Sequence, residues 1–234
     1  MARGTSLVKL LDMYRAECRL SLSAAHNAQH RDAQVAHIQR TQEWLWDDFD
    51  WPNLVVERTI NLAAGQFKYD MPVDMDIDRI QKIEIYYDRA YCPLNAGIDA
   101  GHYTAFNSLL DERTWPPRRW RIAEDEMVEV WPIPDTDYDP VTLAGTLKIT
   151  GVRKLRSLVA DTDTAELDDR MLILFCASEV LAASGAKDAG DKRNMANARY
   201  AKLRGHLTPR KKFSMFGASN DHRVIRVPIA VFKA

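Results

Sequence analysis

Residues 167–183, LDDRMLILFCASEVLAA, constrain the fold more than any other stretch. Residues 171–177 are apolar without a break, in a chain whose charged fraction is 28%. The run is too long for a typical strand and lacks the β-branched enrichment of one. It is too short to span a membrane. It therefore predicts a helix. Asp163 or Thr164 can cap it, Glu166, Asp168 and Asp169 sit near the positive end of its dipole, and Gly185 stops it. A helix that is apolar on nearly every face must be covered by other elements.

Candidate partners lie at both ends of the chain. Leu7, Leu10, Leu11, Tyr14 and Cys18 share one helical stripe, with Ser6 or Thr5 as cap. A second helix is predicted over about residues 27–49. Its apolar face carries Val35, Ile38, Leu45 and Phe49, and Pro52 closes it. After the central run, residues 188–207 form a basic surface helix. Its sparse apolar positions are Met195, Ala198 and Leu203, among Lys192, Arg193, Arg199, Lys202 and Arg204.

Between these helices the period changes to alternation. Residues 55–74 read as strand, Ala-Gly turn, strand, with Pro72 ending the pair. Residues 78–87 alternate Ile80, Ile83 and Ile85 with polar neighbours. Residues 89–113 read as a long loop or short irregular helix. Three more strands follow at 120–123, 127–131 and 146–152, with a proline-rich connection between the last two. The sum is an α+β fold. Residues 1–52 and 158–207 form a helical bundle of two N-terminal and two C-terminal helices. Residues 53–157 are an inserted antiparallel β domain, and residues 208–234 an extended C-terminal arm.

The formal net charge of −1 leaves no global basic field to hold nucleic acid. Cys18, Cys92 and Cys176 are odd in number and widely spaced, which argues against a disulfide framework or a cysteine-rich zinc site and for a reducing compartment. The N-terminus shows neither signal peptide nor membrane anchor.

Few patterns suggest chemistry. His26, His30 and His37 have helical spacing for one face, but no Glu follows the first as in the metalloprotease motif. Asp161, Asp163, Glu166, Asp168 and Asp169 cluster locally at a helix start, where acids favour the dipole, not at separate strand ends as in two-metal nucleases. Asp47, Asp48 and Asp50 beside Trp51 lack a nameable partner carboxylate for a glycosidase pair. No phosphate-binding glycine loop or nucleophile elbow is present. No enzyme, cofactor or metal is expected.

Two stretches read as binding surfaces. Residues 112–121 interleave Trp115 and Trp120 with Arg113, Arg118, Arg119 and Arg121. Aromatic plus arginine suits a protein interface or a single-stranded nucleic acid. The acids that follow favour a protein interface through Trp115, Arg118, Arg119 and Trp120. The alternative is nucleic-acid binding through residues 115–121 and the basic tail. Residues 208–234 carry six Arg and Lys against the single acid Asp221, and also Phe213, Phe216, Val224, Ile225, Val227, Ile229, Val231 and Phe232. Disordered tails are poor in such residues, so the tail reads as an arm that docks on another protein. Pro228 suits an edge strand or extended arm.

Residues 40–54, RTQEWLWDDFDWPNL, resemble the helix end and aromatic-proline turn of tailed-phage head-to-tail adaptors of the tail tubular protein A type. The strand end VWPIP at residues 130–134 and the element order are also similar. The resemblance implies a structural virion protein made in the host cytoplasm and placed in the neck between capsid and tail. It implies a ring, commonly of twelve copies, beneath the portal, with C-terminal arms docked on the portal. A tail nozzle, tail tube or fibre protein lies on the other side. DNA passes through the bore without specific binding, and no membrane is involved. The β insertion does not align with the family pattern, and its partner stays open.

Overall fold

The structure, a computed structural model, describes residues 3–23, 25–106, 110 and 112–207. The fold is α+β, as the sequence predicts. The arm residues from Phe213 to Phe232, and Pro228 among them, lie outside the described residues.

The apolar run forms α4 (Asp169–Ala183), buried continuously from Met171 to Ser178. Its partners are α1 (Leu7–Glu17), α2 (Arg31–Asp47) and α5 (Ala189–Leu207), all of which contact it. The predicted stripe of α1 is buried at every position, Leu7, Leu10, Leu11, Tyr14 and Cys18. Ile38 and Leu45 of α2 are fully buried beside it, with Val35 and Phe49 packed at the edge. Burying one such aliphatic side chain stabilises by about 2 kcal/mol, so this layer does not need the weak propensity of its short helices.

Two helix boundaries differ from the sequence expectation, at the starts of α4 and α2. Asp168, not Asp163 or Thr164, caps α4, its side chain accepting from Met171 N at 3.0 Å. Asp163 instead closes the preceding turn, accepting from the backbone N–H groups of Val159 and Ala160 at 2.8 and 2.6 Å. Residues before Arg31 form a 3₁₀ segment, Ala25–His30, so α2 starts later. Ser6 occupies the N-cap of α1 without a side-chain hydrogen bond. Gly185, at φ +70°, follows α4 as expected for a stop.

The β part comprises two sheets. β1 (Val55–Asn61), β3 (Met75–Tyr87), β4 (Ala90–Pro93) and β8 (Thr146–Arg153) form one, in the order β1-β8-β3-β4. β2 (Lys68–Tyr69), β5 (Asn95–Ala96), β6 (Arg119–Ile122) and β7 (Val128–Trp131) form the other, in the order β2-β7-β6-β5. Ile83, Ile85, Leu147 and Ile149 of the first share a core with Tyr69, Val128 and Val130 of the second.

This corrects the predicted hairpin over residues 55–74. β1 pairs with β8 and β2 with β7, so the Ala-Gly turn carries the chain between sheets. Its backbone is spent on the proline-rich connection: Gly65 N donates to Pro134 O and Ala64 N to Asp137. The β part is also not purely antiparallel, because β5 runs parallel to β6. Residues 89–113 contain β4, β5 and α3 (Ala100–Ala105) where a loop or irregular helix was expected.

Helices and sheets are joined by specific bonds. Trp46 Nε1 donates to Arg153 O at 3.2 Å. Arg79 donates to Trp46 O at 2.7 Å, pairs with Asp50 and lies over the Trp46 ring. Arg153 pairs with Glu166. Gly151 leaves room for this junction: a Cβ there would stand 2.9 Å from Met75 and 3.1 Å from Arg79 O, where β3 is bulged.

Candidate interface

The tryptophan-arginine stretch folds into the approach to β6. Trp115 is half-buried against Tyr87, ring centroids 6.4 Å apart, and a Cβ on Gly145 would meet its ring at 3.0 Å. Trp120 is half-buried on the sheet core. Both indoles are therefore engaged in packing, which removes ring area from any base stack. Arg118 is exposed, its backbone bonded to Trp131 O and Asn95 N. Arg119 is half-buried and donates to Gly97 O at 3.2 Å. Arg118 and Arg119 line a cavity of about 270 Å³ with His102, Phe106 and Trp131. The four predicted interface residues thus share one region, with Arg118 exposed and Trp115, Arg119 and Trp120 half-buried.

Arg121 is exposed but tethered to a buried acid. Its Nε donates to Glu129 Oε2 at 2.7 Å, and Tyr103 OH donates to Glu129 Oε1 at 2.6 Å. Glu129 is 1% exposed. Burial, then the bond to Glu129, pushes the Tyr103 hydroxyl up to about 12. Tyr103 packs edge-on to Trp131 at 4.7 Å, and Trp131 Nε1 donates to His102 O. This polar cluster escaped the sequence reading. Alternation along VEVW places Glu129 away from Val128 and Val130, which reads as outward. Helix α3, capped by Asp99, covers that outer face. The Asp-x-x-His spacing of that capping box was the one signal available.

Several of the carboxylates that raised enzyme readings have structural partners. Asp50 pairs with Arg79, Asp161 with Arg31 and Asp168 with Arg199. Asp48 meets Tyr200 and Arg204. Trp51 is fully buried, its Nε1 donating to Leu45 O at 2.8 Å. The histidines do not share a helix face. His26 lies in the 3₁₀ segment beside Ser21, and His37 bridges Tyr14 OH at 3.1 Å and Glu179 at 3.0 Å. Among the described residues, no three His, Cys, Asp or Glu come together to hold a metal.

The basic face of α5 is also largely committed within the chain. Lys192 pairs with Glu17, Arg199 with Asp168 and Arg204 with Asp48, while Arg193 lies 4.8 Å over the Phe175 ring. These charges fasten α5 to its neighbours.

The molecule so defined is an α+β protein whose buried polar clusters serve packing. The chain belongs to the SU10 adaptor protein family, whose model matches residues 10–223. This is a family of bacteriophage head-tail adaptors. No curated protein matches the chain. No described helix is long and apolar enough to cross a membrane.

Proposed function

We propose that the protein is a neck component that joins the portal to the tail as a ring of copies, twelve in number. DNA passes through its bore without specific binding. The observation that carries this reading is the family match across residues 10–223. The detailed likeness is to the tail tubular protein A type, through residues 40–54 and 130–134. Residues 1–52 and 158–207 act as the helical unit, residues 53–157 as the inserted β domain, and residues 208–234 as the arm. Phe213, Phe216, Val224, Ile225, Val227, Ile229, Val231 and Phe232 seat on the portal. Trp115, Arg118, Arg119 and Trp120 face a neighbouring subunit or a tail nozzle, tube or fibre protein. A ring closes when the rotation relating neighbours is right, and many weak arms on one ring add to firm attachment. A net charge of −1 gives little hold on the DNA backbone.

The test is removal of residues 208–234 in assembling particles. Heads without attached tails are the expected outcome. Particles that mature with tails overturn the portal-docking arm. Sedimentation with and without portal protein addresses the ring directly, and absence of association under all conditions counts against it.

A further inference from the structure

A cavity of about 640 Å³ opens between the turn after α2, the first sheet and the end of α5. Phe49, Pro52, Val55 and Leu207 form its apolar wall, and Glu57 and Thr150 its polar one. Its volume suits a compact occupant with one or two large side chains.

Three observations point to the occupant. The described chain ends at Leu207, on the cavity wall, with residues 208–234 to follow. The next residues are Thr208-Pro209-Arg210-Lys211-Lys212-Phe213-Ser214-Met215-Phe216, a cationic run leading into aromatics. The wall offers the matching chemistry. The Glu57 side chain is 59% exposed and pairs with Lys148 at 3.8 Å, its one ion pair among the described residues. Thr150 is buried, and its hydroxyl has no hydrogen-bond partner among the described residues. Moreover β1, which carries Val55 and Glu57, is the edge of its sheet. Asp50, also on the wall, is already paired with Arg79 and adds less.

We propose that residues 208–216 of the same chain fold back onto this cavity. In the isolated protein Phe213 seats on Phe49, Pro52 and Val55, to be released when the arm engages a partner, and Arg210, Lys211 and Lys212 lie along Glu57. Six residues from Leu207 reach at most about 20 Å, so the segment meets its own cavity at high effective concentration. A second copy competes at a disadvantage. The seat fixes the root of the C-terminal segment and leaves Val224 to Phe232 free to reach a partner. It holds in the isolated protein and does not depend on the connector reading.

The test uses full-length protein under native conditions with trypsin, which cuts after Arg210, Lys211 and Lys212. Cleavage there tracks the population of the undocked segment, so Phe213→Asp and Glu57→Lys should each speed it by about fivefold or more. Glu57 is exposed and Phe213 lies beyond the last described helix, so both variants keep the fold. Equal rates in wild type and both variants overturn the proposal. A second experiment keeps Phe213 and places Glu57→Cys with Lys211→Cys in a Cys92→Ser background. An intrachain disulfide is expected on mild oxidation. No disulfide, or only disulfide-linked dimers, overturns docking within one chain.

Discussion

Arg199 reaches from α5 to Asp168 with both oxygens engaged, Nε to Oδ1 at 3.2 Å and Nη2 to Oδ2 at 2.6 Å. Asp168 is completely buried and also caps α4. One carboxylate thus satisfies an orphan N–H of the central helix and ties the outer helix to it. Removing Arg199 leaves a buried carboxylate with only its cap bond. Arg199→Ala should cost about 3 kcal/mol, since breaking a buried pair on one side exposes the desolvation of the other. Arg199→Lys should recover only part of this, because a lysine lacks the planar fork. Urea unfolding midpoints of the three proteins check the order.

The Glu129 cluster gives a prediction in the β part. Tyr103→Phe keeps the ring against Trp131 and removes one donor to a buried carboxylate. The expected loss is about 1–2 kcal/mol, with hydrogen exchange quickened in α3 and β7 and unchanged in α4. Equal acceleration in α4 would mean that the helical core and the sheets open together.

How far this fold was legible depends on the range of the contacts. The stripe from Leu7 to Cys18 repeats every turn, so its burial follows from sequence spacing alone. The same is true of Met171 to Ala177, where no face is polar. The strand pairs are different. Val55 pairs with Val152 and Lys68 with Glu129, and nothing local to the Ala-Gly turn distinguishes a hairpin from a crossover between sheets. The cap of α4 lies at Asp168 and not at Asp163 because several acids stand within nine residues, and only packing selects among them. The candidate interface was legible as a composition of Trp and Arg. Which of them are committed within the chain was not, since Arg121 is tied to a Glu129 that lies eight residues on.

Asp169 supplies a pH prediction with a definite sign. Its side chain is buried beside Asp168, and one oxygen, Oδ1, has no partner. Burial raises its pKa above the ordinary 3.8, with the bonds from Thr5 opposing. A raised carboxyl favours the folded state while protonated. That stability is complete below the unfolded pKa and is lost as pH rises through the folded one. Asp169→Asn should therefore match wild type in acid, gain on it as pH climbs above about 3.8, and stay ahead by a constant margin at neutral pH. Asp74 runs the other way: the Arg58 hydrogen bond lowers its pKa, so its contribution fades as pH falls. Because Asp74 is common to both proteins, the difference between their melting curves isolates Asp169.

The three free thiols divide sharply by environment. Cys18 and Cys176 are buried in the helical core, and burial pushes their pKa values up to about 11 and about 12. Cys92 is exposed on β4, the edge strand beyond β3. The thiolate is the reactive form, so at pH 8 a disulfide reagent should titrate Cys92 rapidly in the native chain. The other two should react only at the rate of unfolding, and all three at once in denaturant. The edge position makes Cys92 a reporter as well. If β4 lies between copies in an assembled ring, its labelling should slow on assembly while the two core thiols stay silent. Labelling at an unchanged rate would place the ring contacts elsewhere, on the helical side or at Arg118 and Arg119.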